Sequence, residues 1–125
     1  MLLIGFIYIF IRNIDWPIVS SSPSTSAKKG SKNNKKIRAH VFIAGKVQGV
    51  YFRQNTRIVA NRHKVTGWVQ NLRDGRVEAV LEGNEMDVSE VIEWFYAGPP
   101  RAIVDDVQIK YEPYMGEFQG FRVNY

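Results

Sequence analysis

The chain has 125 residues, 45% of them hydrophobic, which is enough for one small domain with a core and too little for two. It has no cysteine, which excludes disulfides, zinc thiolates and cysteine nucleophiles, and neither His40 nor His63 stands at ligand spacing from a carboxylate, so no metal site is expected. The net charge of +5 invites a nucleic-acid reading, but six basic residues before Arg38 face Asp15 alone and account for the whole excess. From Arg38 onward, eleven basic residues meet eleven acidic ones, so the folded part is neutral and no specific nucleic-acid partner is expected.

Residues 1–11 are almost wholly apolar. They are too few to span a bilayer, for which about twenty are needed, and no basic segment precedes them as in a signal peptide. An atypical export signal or anchor, an ordered docking strand and an upstream extension all remain open. Residues 20–36 are rich in Ser, Lys, Asn, Gly and Pro, too poor in apolar groups to offset their ordering entropy, and read as a disordered basic linker. The domain is therefore expected over residues 37–125, with residues 1–36 outside it.

Ala39, Val41 and Ile43 alternate with Arg38, His40 and Phe42, a period of two that predicts a first strand. Phe52, Thr56, Val59 and Ala60 recur at helical spacing and predict a helix over about residues 53–63. Residues 65–71 and 77–82 read as a hairpin around Leu72-Arg73-Asp74-Gly75, with Val77, Ala79 and Leu81 inward and Glu78 and Glu82 facing water. Asn84 offers an N-cap to a second helix carrying Val88, Val91, Ile92 and Phe95, which Gly98-Pro99-Pro100 stops. Val107, Ile109 and Tyr111 mark a fourth strand, and Phe121, Val123 and Tyr125 a short fifth. Strand, helix, strand, strand, helix, strand is the split βαβ order of an α+β, ferredoxin-like sandwich: an antiparallel sheet with two helices on one face.

Between the first strand and helix lie Gly45-Lys46-Val47-Gln48-Gly49-Val50-Tyr51-Phe52-Arg53. Two glycines let backbone N–H groups converge, and the helix N-terminus that follows favours an anion. Arg53 stands in the first turn, where the helix dipole disfavours a cation unless an anion is shared between them. Taken alone, these residues also describe an ordinary connection followed by a surface arginine. The loop lacks the glycine and the Ser or Thr of a Walker motif, so nucleotide binding is not supported.

The run Ile43-Ala44-Gly45-Lys46-Val47-Gln48-Gly49-Val50-Tyr51-Phe52-Arg53 closely resembles the first signature of the acylphosphatase family. Gly67-Trp68-Val69-Gln70-Asn71-Leu72-Arg73-Asp74-Gly75-Arg76-Val77, followed by Gly83, resembles the second. The ending Phe118-Gln119-Gly120-Phe121-Arg122-Val123-Asn124-Tyr125 resembles the family's last strand. The resemblance covers about the last seventy per cent of the chain. It implies a ferredoxin-like fold and metal-independent hydrolysis of acyl phosphates, with no cofactor. It further implies that phosphate is held by the backbone of residues 45–52 and by Arg53, while Asn71 orients the attacking water. By position alone, Asn71 is a turn residue opening the hairpin.

Lys64 departs from the family pattern, in which a glycine is usual, and a left-handed helix end costs a non-glycine residue about 1 kcal/mol. Trp68 and Phe52 are expected in the core, and Asp105-Asp106, Asp87, Glu90 and Glu93 at the surface. The expected enzyme is a cytoplasmic monomer acting on a small acyl phosphate, with no membrane span. The alternative is a non-catalytic ferredoxin-like module binding nucleic acid or serving regulation, against which stand the lack of an aromatic-rich RNP pattern and the neutral charge of the domain.

Overall fold

In the computed structural model, which describes residues 34–125, the alternation around Val41 becomes strand β1, Lys36–Lys46, whose Ala39, Val41 and Ile43 are fully buried. The apolar residues 1–11 and residues 20–33 of the linker lie outside the described residues. Lys36 pairs with Asn84, and the Lys35 carbonyl accepts the N–H of Glu85, so backbone pairing with the sheet includes residues before 37. Composition reads Lys35 and Lys36 as linker because their side chains face solvent, whereas their backbone is held by pairing.

The remaining elements are helix α1 (Phe52–Arg62), strand β2 (Thr66–Asn71), strand β3 (Val77–Asn84), helix α2 (Glu85–Ala97), strand β4 (Ile103–Glu112) and the short strand β5 (Phe121–Val123). They form one five-stranded sheet in the order β4-β1-β3-β2-β5. Pairing is antiparallel except between β2 and β5, which run parallel. The parallel pair follows from connectivity: β4 and β5 lie at opposite edges, so the segment between them must cross the whole sheet. The two helices and the ferredoxin-like order agree with the sequence pattern.

The core lies between one face of the sheet and the helices. Val41, Ile43, Val69, Ala79, Leu81 and Val107 meet Phe52, Val59, Ala60, Val88, Val91 and Phe95. Phe52 stacks on Phe95 at 5.9 Å and meets Trp94 at 5.3 Å, aromatic contacts worth about 0.5–1.5 kcal/mol each beyond the area they bury. The first residue of α1 is thereby anchored to α2, which fixes the place of its neighbour Arg53.

The opposite face differs from the alternation pattern in three ways. Glu82, expected to face water, is 1% exposed. It accepts hydrogen bonds from Arg38 Nη1 at 3.1 Å and from the backbone N–H groups of Met115 at 2.9 Å and Glu117 at 3.3 Å. The crossing segment after β4 thus covers this face and uses Glu82 as its anchor. Trp68, expected in the core, is half-buried on this same face, because Gly67 and Val69 take the inward positions of β2. His40 stands between two carboxylates, with Nε2 2.7 Å from Glu78 and Nδ1 3.1 Å from Glu112, because cross-strand pairing assembles what sequence spacing keeps apart. Burial works to lower the Arg38 pKa, but the hydrogen bonds it donates to Glu117, Glu82 and Glu112 outweigh it and leave that pKa raised.

The turns follow their residue types except at Lys64 and Tyr51, both left-handed without being glycine. Lys64 adopts φ 60°, the left-handed conformation expected at the end of α1. Asn84 occupies the N-cap position of α2 but makes no side-chain capping bond.

Candidate active site

The loop between β1 and α1 is shaped by two glycines with different tasks. At Gly45 (φ 128°) a Cβ would collide with the Ile103 carbonyl of β4, so this glycine permits close packing at the bulge where the β1–β4 register shifts. Gly49 (φ 77°) has open space around it and serves the turn of the backbone itself. Val47 and Val50, 1% and 5% exposed, fasten the loop to the core between them. Tyr51, also left-handed at φ 66°, ψ 28°, forms the N-cap of α1. Nothing in the sequence marks this conformation, which a tyrosine takes at a cost of about 1–2 kcal/mol.

The first N–H groups of α1 have no helical carbonyl to meet, and no acidic residue stands in its first turn. Arg53 adds a full positive charge there. Its Nη1 donates to the Asn124 carbonyl at 3.0 Å, and its guanidinium lies 4.6 Å from the centre of the Tyr125 ring. Asn124 is itself held by its N–H, which donates to the Val69 carbonyl at 2.9 Å. Among the described residues no carboxylate pairs with Arg53, whereas Arg38, His40 and Arg76 each have one. A half-buried guanidinium backed by a carbonyl and a ring, with its remaining donors uncommitted, is matched to an anion with several acceptor oxygens.

Opposite stands Asn71, the last residue of β2. Its Oδ1 is buried and accepts no hydrogen bond from any described residue, an arrangement that costs about 1–3 kcal/mol unless a ligand or water donates to it. Asn71 directly precedes the turn, where the Leu72 N–H donates to Arg76 and the Gly75 N–H to Leu72, at 2.8 and 3.2 Å. Asp74 accepts from the side chain and the backbone N–H of Arg76, which holds its carboxyl below the usual carboxylate range. The Asp-Gly turn expected from sequence is therefore a well-bonded support for Asn71.

These residues meet around a pocket of about 240 Å³ lined by Val47, Gly49, Tyr51, Phe52, Arg53, Gln54 and Asn71. The loop and both polar residues singled out in the sequence are thus brought together. Gly45, Lys46, Gln48 and Val50 do not line the pocket: the valine is buried, the glycine packs on β4, Lys46 is exposed, and Gln48 turns toward the hairpin. Gln54, Asn124 and Tyr125 were not legible as parts of the site. Gln54 reads as an ordinary helical polar residue, and the role of the chain's end emerges only once β5 lies beside β2.

A profile of the acylphosphatase family matches residues 39–123. An acylphosphatase from Pyrobaculum arsenaticum is 60% identical over 87 residues, covering 69% of this chain and 92% of that protein. One from Pyrobaculum calidifontis is 57% identical over 88 residues, covering 70% of this chain and 80% of that one. The solved structure of an acylphosphatase from Coxiella burnetii resembles this fold with a TM-score of 0.69 at 38% identity, over 73% of this chain and 94% of that one. The matched span contains both signature runs, the pocket they build and the sheet that supports it, and on these grounds the chain belongs to the acylphosphatase family.

Proposed function

We propose that this chain hydrolyses the carboxyl–phosphate bond of acyl phosphates by a metal-independent route in which residues 45–53 hold the phosphoryl group and Asn71 orients water. Family membership and relatives more than half identical carry the reaction class. The single observation that supports the residue roles is the pairing, across one pocket, of an uncompensated cation at a helix N-terminus with a buried, unpartnered amide oxygen.

Phosphoryl oxygens accept from the loop N–H groups at the start of α1 and from the free donors of Arg53, whose planar fork suits two parallel hydrogen bonds. Asn71 Oδ1 accepts from a water and holds it near phosphorus without competing as a charge. The water oxygen bonds to phosphorus as the bond from phosphorus to the acyl oxygen breaks. The electron pair leaves on a carboxylate, stable as an anion without a general acid, and both protons of the water end on inorganic phosphate. Positioning and electrostatic stabilisation of the phosphoryl oxygens supply the catalysis. We read the enzyme as a monomer and place it in the cytoplasm. Among the described residues no helix is long and apolar enough to cross a membrane.

The nucleic-acid or regulatory module is not favoured. The sheet face it would use is covered in part by the segment anchored on Glu82, and its Arg38 and His40 are already engaged by Glu82, Glu112 and Glu78, which leaves neither as free positive charge for a phosphate backbone. The test is an assay of the purified chain in excess chelator with a synthetic acyl phosphate, alongside a phosphate monoester. Turnover of the acyl phosphate alone is expected; a strict divalent-ion requirement, or equal turnover of the monoester, contradicts the reading.

A further inference from the structure

Gln48 stands in the loop without lining the pocket, and its side chain reaches across to the β2–β3 hairpin. Its Nε2 donates to the Leu72 carbonyl at 2.8 Å and to the Arg76 carbonyl at 2.9 Å. Each of these carbonyls already accepts a backbone N–H: Leu72 from Gly75, and Arg76 from Leu72. A carbonyl has two acceptor sites, so one primary amide fills the second site on both carbonyls that close the turn. The neighbouring residue types cannot do this. A glutamate has no donor when ionised and would set its charge against two carbonyl oxygens, and methionine or leucine has no donor at all.

The place of this bridge matters more than its strength. The loop has left-handed residues at Gly49 and Tyr51 and is fastened to the core through Val47 and Val50. The hairpin begins directly after Asn71. Among the described residues, the two bonds from Gln48 are the hydrogen bonds that join the loop to the turn. They therefore set how far the phosphate-facing backbone stands from the Asn71 amide.

We infer that Gln48 is a positioning residue for the hydrolysis, its side-chain amide latching the phosphate loop to the Asn71 hairpin so that phosphorus and the attacking water are held in register. This rests on the reading of Asn71 as the group that orients water. Losing the latch leaves the anion site formed but lets the water-holding group drift, and a displacement on the order of 1 Å costs about 100-fold in rate. Turnover should fall while phosphate affinity holds.

The experiment is a double-mutant cycle with Gln48→Met, Asn71→Ala and the double variant, reading turnover of an acyl phosphate and competitive inhibition by inorganic phosphate. Gln48→Met is expected to lose about 10–100-fold in turnover with phosphate inhibition changed by less than about threefold. In the double variant turnover is expected within about threefold of Asn71→Ala alone, because a latch has nothing to position once the amide is gone. Multiplicative losses, or a matching loss of phosphate inhibition in Gln48→Met, would mean that Gln48 acts on the loop by itself and would overturn the latch. Unchanged turnover in Asn71→Ala defeats the water-orienting reading first and the latch with it, so the two failures are distinct. Should Gln48→Met not fold, nuclear magnetic resonance of the wild-type chain decides. Side-chain amide protons of Gln48 should exchange more slowly than those of the exposed Gln119, and its signal should shift together with that of Asn71 as phosphate is added. Exchange as fast as at Gln119 overturns the latch.

Discussion

Replacing Glu82 by alanine tests whether a carboxylate on the sheet face away from the helices is a structural anchor. The side chain is 1% exposed and accepts from Arg38, Met115 and Glu117. Removing it leaves two backbone N–H groups and one donor of a guanidinium that is itself only 13% exposed. Arg38 keeps Glu112 and Glu117, at 3.0 and 2.9 Å, so its charge is not stranded and the full cost of about 3–5 kcal/mol for breaking a buried pair is an upper bound. Two orphaned backbone donors at about 1–3 kcal/mol each, partly rehydrated, set the expected loss at about 2–4 kcal/mol. For a domain of this size each kcal/mol moves the melting temperature by about 4–8 °C. Urea denaturation of wild type and Glu82→Ala, with thermal melting alongside, reads the change. Glu82→Gln, which keeps one acceptor, should lose less than Glu82→Ala. A loss under about 0.5 kcal/mol, ordinary for a surface residue, would refute the anchor.

Glu112 predicts a pH dependence. The His40 hydrogen bond, then that of Arg38, hold its carboxyl below the usual carboxylate range, so its contribution to stability is complete above an ordinary unfolded pKa of about 4.3 and is lost as pH falls through the lower folded value. The stability gap between wild type and Glu112→Gln, followed by urea denaturation, should therefore narrow on acidification through this range; a gap that widens there contradicts the assignment. At Lys64, with φ 60°, glycine relieves about 1–2 kcal/mol of left-handed strain and gives back about 0.5–1 kcal/mol in chain entropy. Lys64→Gly is expected to raise stability by about 0.5–1 kcal/mol with turnover unchanged, and a loss of stability would show the backbone there to be unstrained.

The parts of the site that sequence made legible are those built from local pattern. Arg53 in a first helical turn, the glycine-bearing run before it and the Asp-Gly turn after Asn71 are all short-range signals, and the pocket gathers Arg53, Asn71, Val47, Gly49, Tyr51 and Phe52 from them. What stayed hidden depends on partners far along the chain. Glu82 alternates with Leu81 as a solvent-facing residue should, and only the return of Met115 and Glu117 across the sheet buries it. His40 finds its carboxylates 38 and 72 residues away. The backing of Arg53 by Asn124 and Tyr125 depends on β5 lying parallel to β2. Gln48 was legible as a loop residue but not as a bridge, since its acceptors are backbone carbonyls, which every residue carries.

With phosphate binding assigned to Arg53 and water placement to Asn71, the two residues should fail differently when replaced. On that assignment, Arg53→Ala removes the cation that meets the phosphoryl group in both the bound and the transition state. At about 1.5–3 kcal/mol for a hydrogen bond to a charged group, inhibition by inorganic phosphate should weaken roughly 10–100-fold as turnover falls with it. Asn71→Ala leaves the loop and Arg53 intact, so turnover should fall by about two orders of magnitude while phosphate still inhibits nearly as in wild type. The measurement is turnover and phosphate inhibition for both folded variants, with circular dichroism confirming the fold. Phosphate inhibition is expected to be lost in Arg53→Ala and kept in Asn71→Ala; inhibition lost equally in both would contradict the separate roles.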